Sequence, residues 1–183
     1  MLPRLAAVAE ALPEEALERG VQQLSVSALD WSEPPLLEER VSSGVPVRVA
    51  IEQMREFVQE DCACELEMAW LLWTYGDNGW VQSAQPVTCT SLGPAFADGL
   101  CAEEGHLQVD FGMDEAFLAE QAPWDASTRA HLQANILQLL AFSHKAQRQL
   151  QPLRRKLWGE SEADWTQKLS LRLQAAEGLR SEK

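Results

Sequence analysis

No lysine occurs in the first 120 residues, and between Gln59 and Gln121 there is no arginine either. Binding of a polyanion depends on cations that displace its counterions, so this stretch is excluded as a nucleic-acid surface. Long hydrophobic runs are missing too. The longest, over 68–73, falls far short of the ~20 residues a bilayer crossing needs. The apolar start Leu5-Ala-Ala-Val-Ala9 meets Glu10 before it can form a secretory core. These absences predict a soluble, intracellular protein without a membrane segment. With no export signal, the four cysteines (Cys62, Cys64, Cys89, Cys101) are expected to be reduced thiols. No G-x-S-x-G, phosphate-binding loop, dinucleotide fingerprint, H-E-x-x-H or zinc-deaminase signature occurs. Their absence turns the expectation away from an enzyme.

What the sequence does have is charge divided along its length. Residues 1–120 hold five arginines against twenty-two acids, for −17, whereas residues 121–183 hold ten bases against six acids, for +4; the whole chain of 183 residues carries −13. Such asymmetry bears on partners, because clustered charge steers association and rejects wrong encounters.

The patterning predicts an α+β chain of two parts: an acidic α+β core over 1–121 and a basic helical region over 122–183 that can act as an interaction arm. Leu5, Val8, Ala9, Leu12, Ala16 and Leu17 follow a helical face interrupted at Pro13 and stopped at Gly20. A short strand is expected over 24–31, ended by Ser32-Glu-Pro-Pro35. Ser42-Ser-Gly-Val-Pro46 suggests a turn into an amphipathic helix over 46–59, where Val47, Ala50, Ile51, Met54 and Phe57 share one side.

Beyond Asp61 the period changes from 3.6 to 2. Cys64, Leu66, Met68, Trp70 and Leu72 alternate with Glu65, Glu67, Ala69, Leu71 and Trp73, and Gly76-Asp-Asn-Gly79 supplies the positive φ angles of a tight hairpin. The returning strand over 80–90 is disturbed at Pro86, and 106–111 makes a further strand, giving a three-stranded antiparallel meander. A short helix is expected over 114–121. Leu132, Ile136, Leu139, Leu140, Ser143, Ala146 and Leu150 trace a long helix beginning near Asp125 and interrupted by Pro152, and Ser161-Glu-Ala-Asp164 starts a final helix.

Several constellations could carry chemistry. Trp70, Trp73, Tyr75 and Trp80 could stack a flat ligand, but alternation puts Trp70 and Trp73 on opposite faces in a stretch without cations, which points to packing. Cys62-Ala-Cys64 with Cys89 and Cys101 offers soft ligands without the spacing of a zinc site, and buried thiols are expected instead. His106, Asp110, Asp114 and Glu115 offer acid–base groups, yet they fit an exposed strand face and a helix start. Neither cofactor nor metal is expected.

Arg154-Arg155-Lys156, with Lys145, Arg148, Lys168 and Arg172, forms the one basic patch. The reading this favours is a protein-binding component of a hetero-complex, such as an adaptor, chaperone or cognate inhibitor. Trp73, Arg154, Arg155, Lys156, Trp158, Trp165, Leu169, Leu171 and Arg172 are the candidate partner-binding residues. The alternatives are a small enzyme using the acids of 106–115, or direct nucleic-acid binding through the basic helices; a homo-oligomer is left open.

Overall fold

A computed structural model describes residues 1–112, 114–154 and 156. Among them are six α-helices and one five-stranded antiparallel sheet, so the chain is an α+β protein. Helices α1 (Leu2–Ala9) and α2 (Glu14–Arg19) precede strands β1 (Val21–Ala28) and β2 (Leu37–Val45). Helix α3 (Val47–Met54) leads into the long hairpin of β3 (Cys62–Gly76) and β4 (Gly79–Leu92). After a tight turn at Phe96–Gly99 come α4 (Cys101–Glu104), β5 (Leu107–Asp110), α5 (Glu115–Leu118) and α6 (Ala126–Leu150). The strand order is β2-β1-β3-β4-β5.

The sheet has five strands where a three-stranded meander was expected, because it also takes in β1, the short strand expected over 24–31, and β2. β2 is the strand that sequence reading missed. It is an edge strand whose exposed positions carry Glu38, Arg40 and Ser42, so it lacks the apolar alternation of a half-buried strand. The supposed turn at 42–46 is its irregular end. There Gly44 takes φ 68, and a Cβ on it would fall on the Arg19 carbonyl oxygen, where the β1–β2 register shifts between Val21 and Gln23. α3 ends at Met54, short of the expected residue 59, because the chain turns out through Phe57 N–H bonding to the Met54 carbonyl.

Two compact units interleave along the chain. The first comprises Met1–Leu71, Ala84–Gly112 and Phe142–Gln151. Its core is one face of the sheet: Leu24, Val26, Cys64, Leu66, Met68, Trp70 and Cys89 are buried, as are Leu5, Val8, Ala50 and Met54 of α1 and α3. α3 packs on β1 and α1 packs on α3. Trp70 is enclosed edge-on by Phe111 at 5.3 Å and tilted against Phe142 at 5.9 Å. A satellite cluster of Ala63, Leu92, Phe96 and Cys101 covers the start of β3 on the opposite face.

The second unit comprises Leu72–Ser83, Met113–Ala141 and Pro152–Lys183. It holds the hairpin tip, α5 and the 126–141 part of α6. The two-residue turn between β3 and β4 sits where Gly76-Asp-Asn-Gly79 demanded it, with Gly79 at φ 84. The buried side of α6 runs through Thr128, Leu132, Asn135, Leu139 and Phe142, while Leu140, assigned inward from the sequence, is 48% exposed. Two polar residues on that side displaced the apolar stripe. No helix among the described residues is long and apolar enough to cross a membrane.

Candidate functional site

Over its middle, the face of the sheet opposite the main core is polar on all five strands of the first unit. Strand register sets out two rows. One aligns Glu38, Ser25 and Glu65 across β2, β1 and β3, and Thr90 with Gln108 across β4 and β5. The other aligns Arg40, Gln23 and Glu67, and Thr88 with Asp110. Because side chains alternate strictly along a strand, positions two apart share a face, and the eight residues on β1, β3, β4 and β5 line one hollow of about 300 Å³.

Hydrogen bonds fix part of this surface. Glu65 sits between two hydroxyls, accepting from Ser25 Oγ at 3.3 Å and from Thr90 Oγ1 at 3.2 Å. Gln23 donates to Glu38 at 3.2 Å and accepts from Arg40 Nε at 3.0 Å. Gln108 donates to Glu104, and Asp110 accepts the Gly112 N–H at 2.8 Å. Glu67 is half-buried, and its carboxylate has no hydrogen-bonded partner among the described residues. The hollow is therefore rich in acceptors, and the donors of Ser25 and Thr90 are already taken by Glu65. Such a lining suits a cation or a donor-rich group.

The aromatic cluster is divided as alternation required. In the second unit, Trp73 lies 4.2 Å from His131, Trp80 stacks on the same imidazole at 4.9 Å, and Tyr75 meets Trp80 edge-on at 5.5 Å. Beside them Asn135, fully buried, accepts from Trp73 N–H at 2.9 Å and donates to the carbonyls of Trp73 at 2.8 Å and Ala116 at 2.6 Å. Thr128 accepts from Trp80 Nε1 at 3.2 Å and donates to the Pro123 carbonyl at 2.7 Å. Asp125 caps α6 through the Thr128 N–H, and that bond holds its carboxyl below the usual range. The sequence offers Thr128 only as one of the capping side chains of Asp125-Ala-Ser-Thr128, and the reading passed over His131 and Asn135. Their i, i+3, i+7 spacing, which puts three polar residues on one side of a helix, was the signal that could have found them.

The remaining candidates are scattered. His106 is exposed and contributes only its carbonyl, to Leu92 N–H. Glu115 closes its own turn, accepting from the backbone of Glu120 at 3.3 Å and Gln121 at 3.5 Å. Asp110 belongs to the first unit, and Asp114 and Glu115 to the second. All four cysteines are free and buried. Burial pushes the thiols of Cys64 and Cys89 up to about 12; it also raises Cys62, beside the Asp61 carboxylate. Thiols so held are poor nucleophiles. Among the described residues, no group of three or more His, Cys, Asp or Glu side chains could hold a metal ion.

Of the basic patch, Lys145 Nζ donates to the Glu10 carbonyl at 2.6 Å within the first unit. Arg154 and Lys156 are exposed. Arg155, Trp158, Trp165, Leu169, Leu171 and Arg172, with the expected final helix, lie outside the described residues. No protein-family model, curated protein or solved structure matches this chain.

Proposed function

We propose that the chain is a non-enzymatic protein-binding component, a subunit, adaptor, chaperone or cognate inhibitor that engages a partner through complementary charge. The observation that carries this reading is the polar sheet face, where Glu65, Glu67 and Asp110 line a hollow and Glu67 has no partner of its own. A partner's lysine or arginine entering there meets acceptors already in position, and preorganised acceptors spare part of the ordering cost of binding. The basic residues from Lys145 onward offer the opposite charge to an acidic surface of the same partner or of a further subunit.

The enzyme alternative draws less support. Glu115 is spent on local backbone bonds, and the cysteines are buried. Direct nucleic-acid binding requires the cations of 145–172 to outweigh a −17 remainder of the chain.

The test is retention of a partner at moderate salt by the full chain carrying Glu65→Gln, Glu67→Gln and Asp110→Asn together. The expected result is a stoichiometric partner for the parent chain and a loss of at least about tenfold in affinity for the triple variant, since charge-assisted contacts are the strong ones. Full retention by the triple variant removes the polar face from the interface. Deleting 160–183 tests the basic arm in the same way.

A further inference from the structure

Two loops that meet at one end of the sheet in the first unit hold backbone that strand connection does not require. Leu29 sits at φ 68, and in the facing segment Ala97 and Asp98 sit at 46 and 54. A branched side chain has no steric reason to occupy this left-handed region, which glycine enters freely. The two strained segments are tied together. Ala97 N–H donates to the Leu29 carbonyl at 2.7 Å, and Leu29 N–H donates to the Asp61 carbonyl at 2.9 Å.

The loop presents large apolar side chains to solvent. Leu29 is 59% exposed, and Trp31 and Leu36 are each 49% exposed. One side of Trp31 rests edge-on against the buried Phe96 at 4.8 Å, so Leu29 and Trp31 stand on consecutive residues of the facing segment. Between them Asp30 accepts from the N–H of Ser32 at 2.7 Å and from its hydroxyl at 2.6 Å, and Leu36 N–H donates to the Val26 carbonyl at 2.7 Å. The loop is fixed at both ends. Folding gains nothing from holding a leucine in strained backbone only to expose it, and strain of this kind gathers where a surface has work to do.

The surroundings define the partner. Asp30 and Glu33 lie in the loop, Asp61 and Asp98 lie in the segments that bond to it, and no lysine or arginine occurs in residues 20–39 or 56–128. Arg40, further along β2, is bonded to Gln23. The first 120 residues of a second copy, at −17, would bring like charge to this fringe, so that only its basic 121–183 could approach it.

We infer that Leu29, Trp31 and Leu36 form a docking surface for a basic, apolar segment of a partner protein, with the anchor against Trp31 and its flanking cations on the acidic fringe. This rests on the protein-binding reading and adds to it the chemistry of the segment bound. A rigid tryptophan in a preformed loop is the kind of residue on which binding energy concentrates.

The test selects phage-displayed random peptides against the full chain at moderate salt. The inference expects enriched peptides that join a large apolar residue to lysine or arginine. It expects Leu29→Gly and Trp31→Ser each to weaken them by about tenfold or more while both variants stay folded under the binding conditions. Enriched peptides without cations, peptides that bind both variants as tightly as the parent, or no enrichment at all would overturn it. So would a concentration-dependent dimer that Trp31→Ser abolishes, because the occupant would then be a second copy. Co-purification from the native source, run in parallel, separates two failures. If Trp31→Ser keeps a partner that the Glu65, Glu67 and Asp110 triple variant loses, this surface fails alone; if the parent chain recovers no partner, the underlying reading fails with it.

Discussion

The two units are held together by different means. In the first, apolar side chains from alternate strand positions and two helices make up the core, Trp70 lies against Phe111 and Phe142, and the middle of the opposite sheet face stays polar. In the second, buried polar groups do much of the holding: Asn135 satisfies the backbone of Trp73 in both directions, Thr128 serves Trp80 and Pro123, and His131 lies against two indoles. An apolar core tolerates volume-conserving change, whereas a satisfied polar site loses the whole desolvation penalty of each orphaned group. Damage to the second unit should therefore depend on hydrogen-bonding chemistry more than on size.

The largest expected effect is Trp70→Ala, which empties a site where the indole is 1% exposed and should cost about 3–5 kcal/mol in urea unfolding. Trp70→Phe should recover much of that loss. Asn135→Leu keeps the volume yet leaves Trp73 N–H and two carbonyls unpaired, and should cost roughly 2–4 kcal/mol. If a near-isosteric apolar residue were neutral there, the contrast between the units would collapse.

Next comes an alkaline effect confined to the first unit. The folded thiols of Cys64 and Cys89 ionise near 12, against 9 for a free thiol, so above pH 9 the unfolded chain sheds protons that the folded chain keeps. Stability contributed by the neutral thiols is complete below pH 9 and is lost as pH rises toward 12, at up to about 1.4 kcal/mol per pH unit for each. Urea midpoints at pH 8 and pH 10 measure the slope, and Cys89→Ala should reduce it. The smallest effect is Leu29→Gly. Relief of the left-handed backbone is offset by the greater freedom of an unfolded glycine, so stability should shift by less than about 1 kcal/mol.

The same contrast explains what could be read in advance. The alternation from Cys64 to Leu72 gave the buried side of β3, and Gly76-Asp-Asn-Gly79 gave the hairpin, because burial and positive φ each select residue types visible in a sequence. β2 escaped because an edge strand with charged outward positions need not alternate apolar with polar. Asn135 and Thr128 escaped for another reason. Their partners, Trp73 and Trp80, lie on the distant hairpin, and a buried asparagine looks in sequence like an exposed one. Leu29 was equally hidden, since leucine does not advertise a left-handed backbone. Of the candidate site, Glu65 and Glu67 stood out as polar members of the alternation in β3. Their union with Asp110 and Thr90 depended on a strand order that no local pattern encodes.

The central claim is that the chain works bound to another protein, and the mass of the species recovered from its native source at moderate salt tests it most directly. Light scattering should give a mass well above the 20.4 kDa of the chain, with a second polypeptide present at fixed stoichiometry and displaced by high salt. A lone species of 20.4 kDa, unchanged by salt, would contradict it.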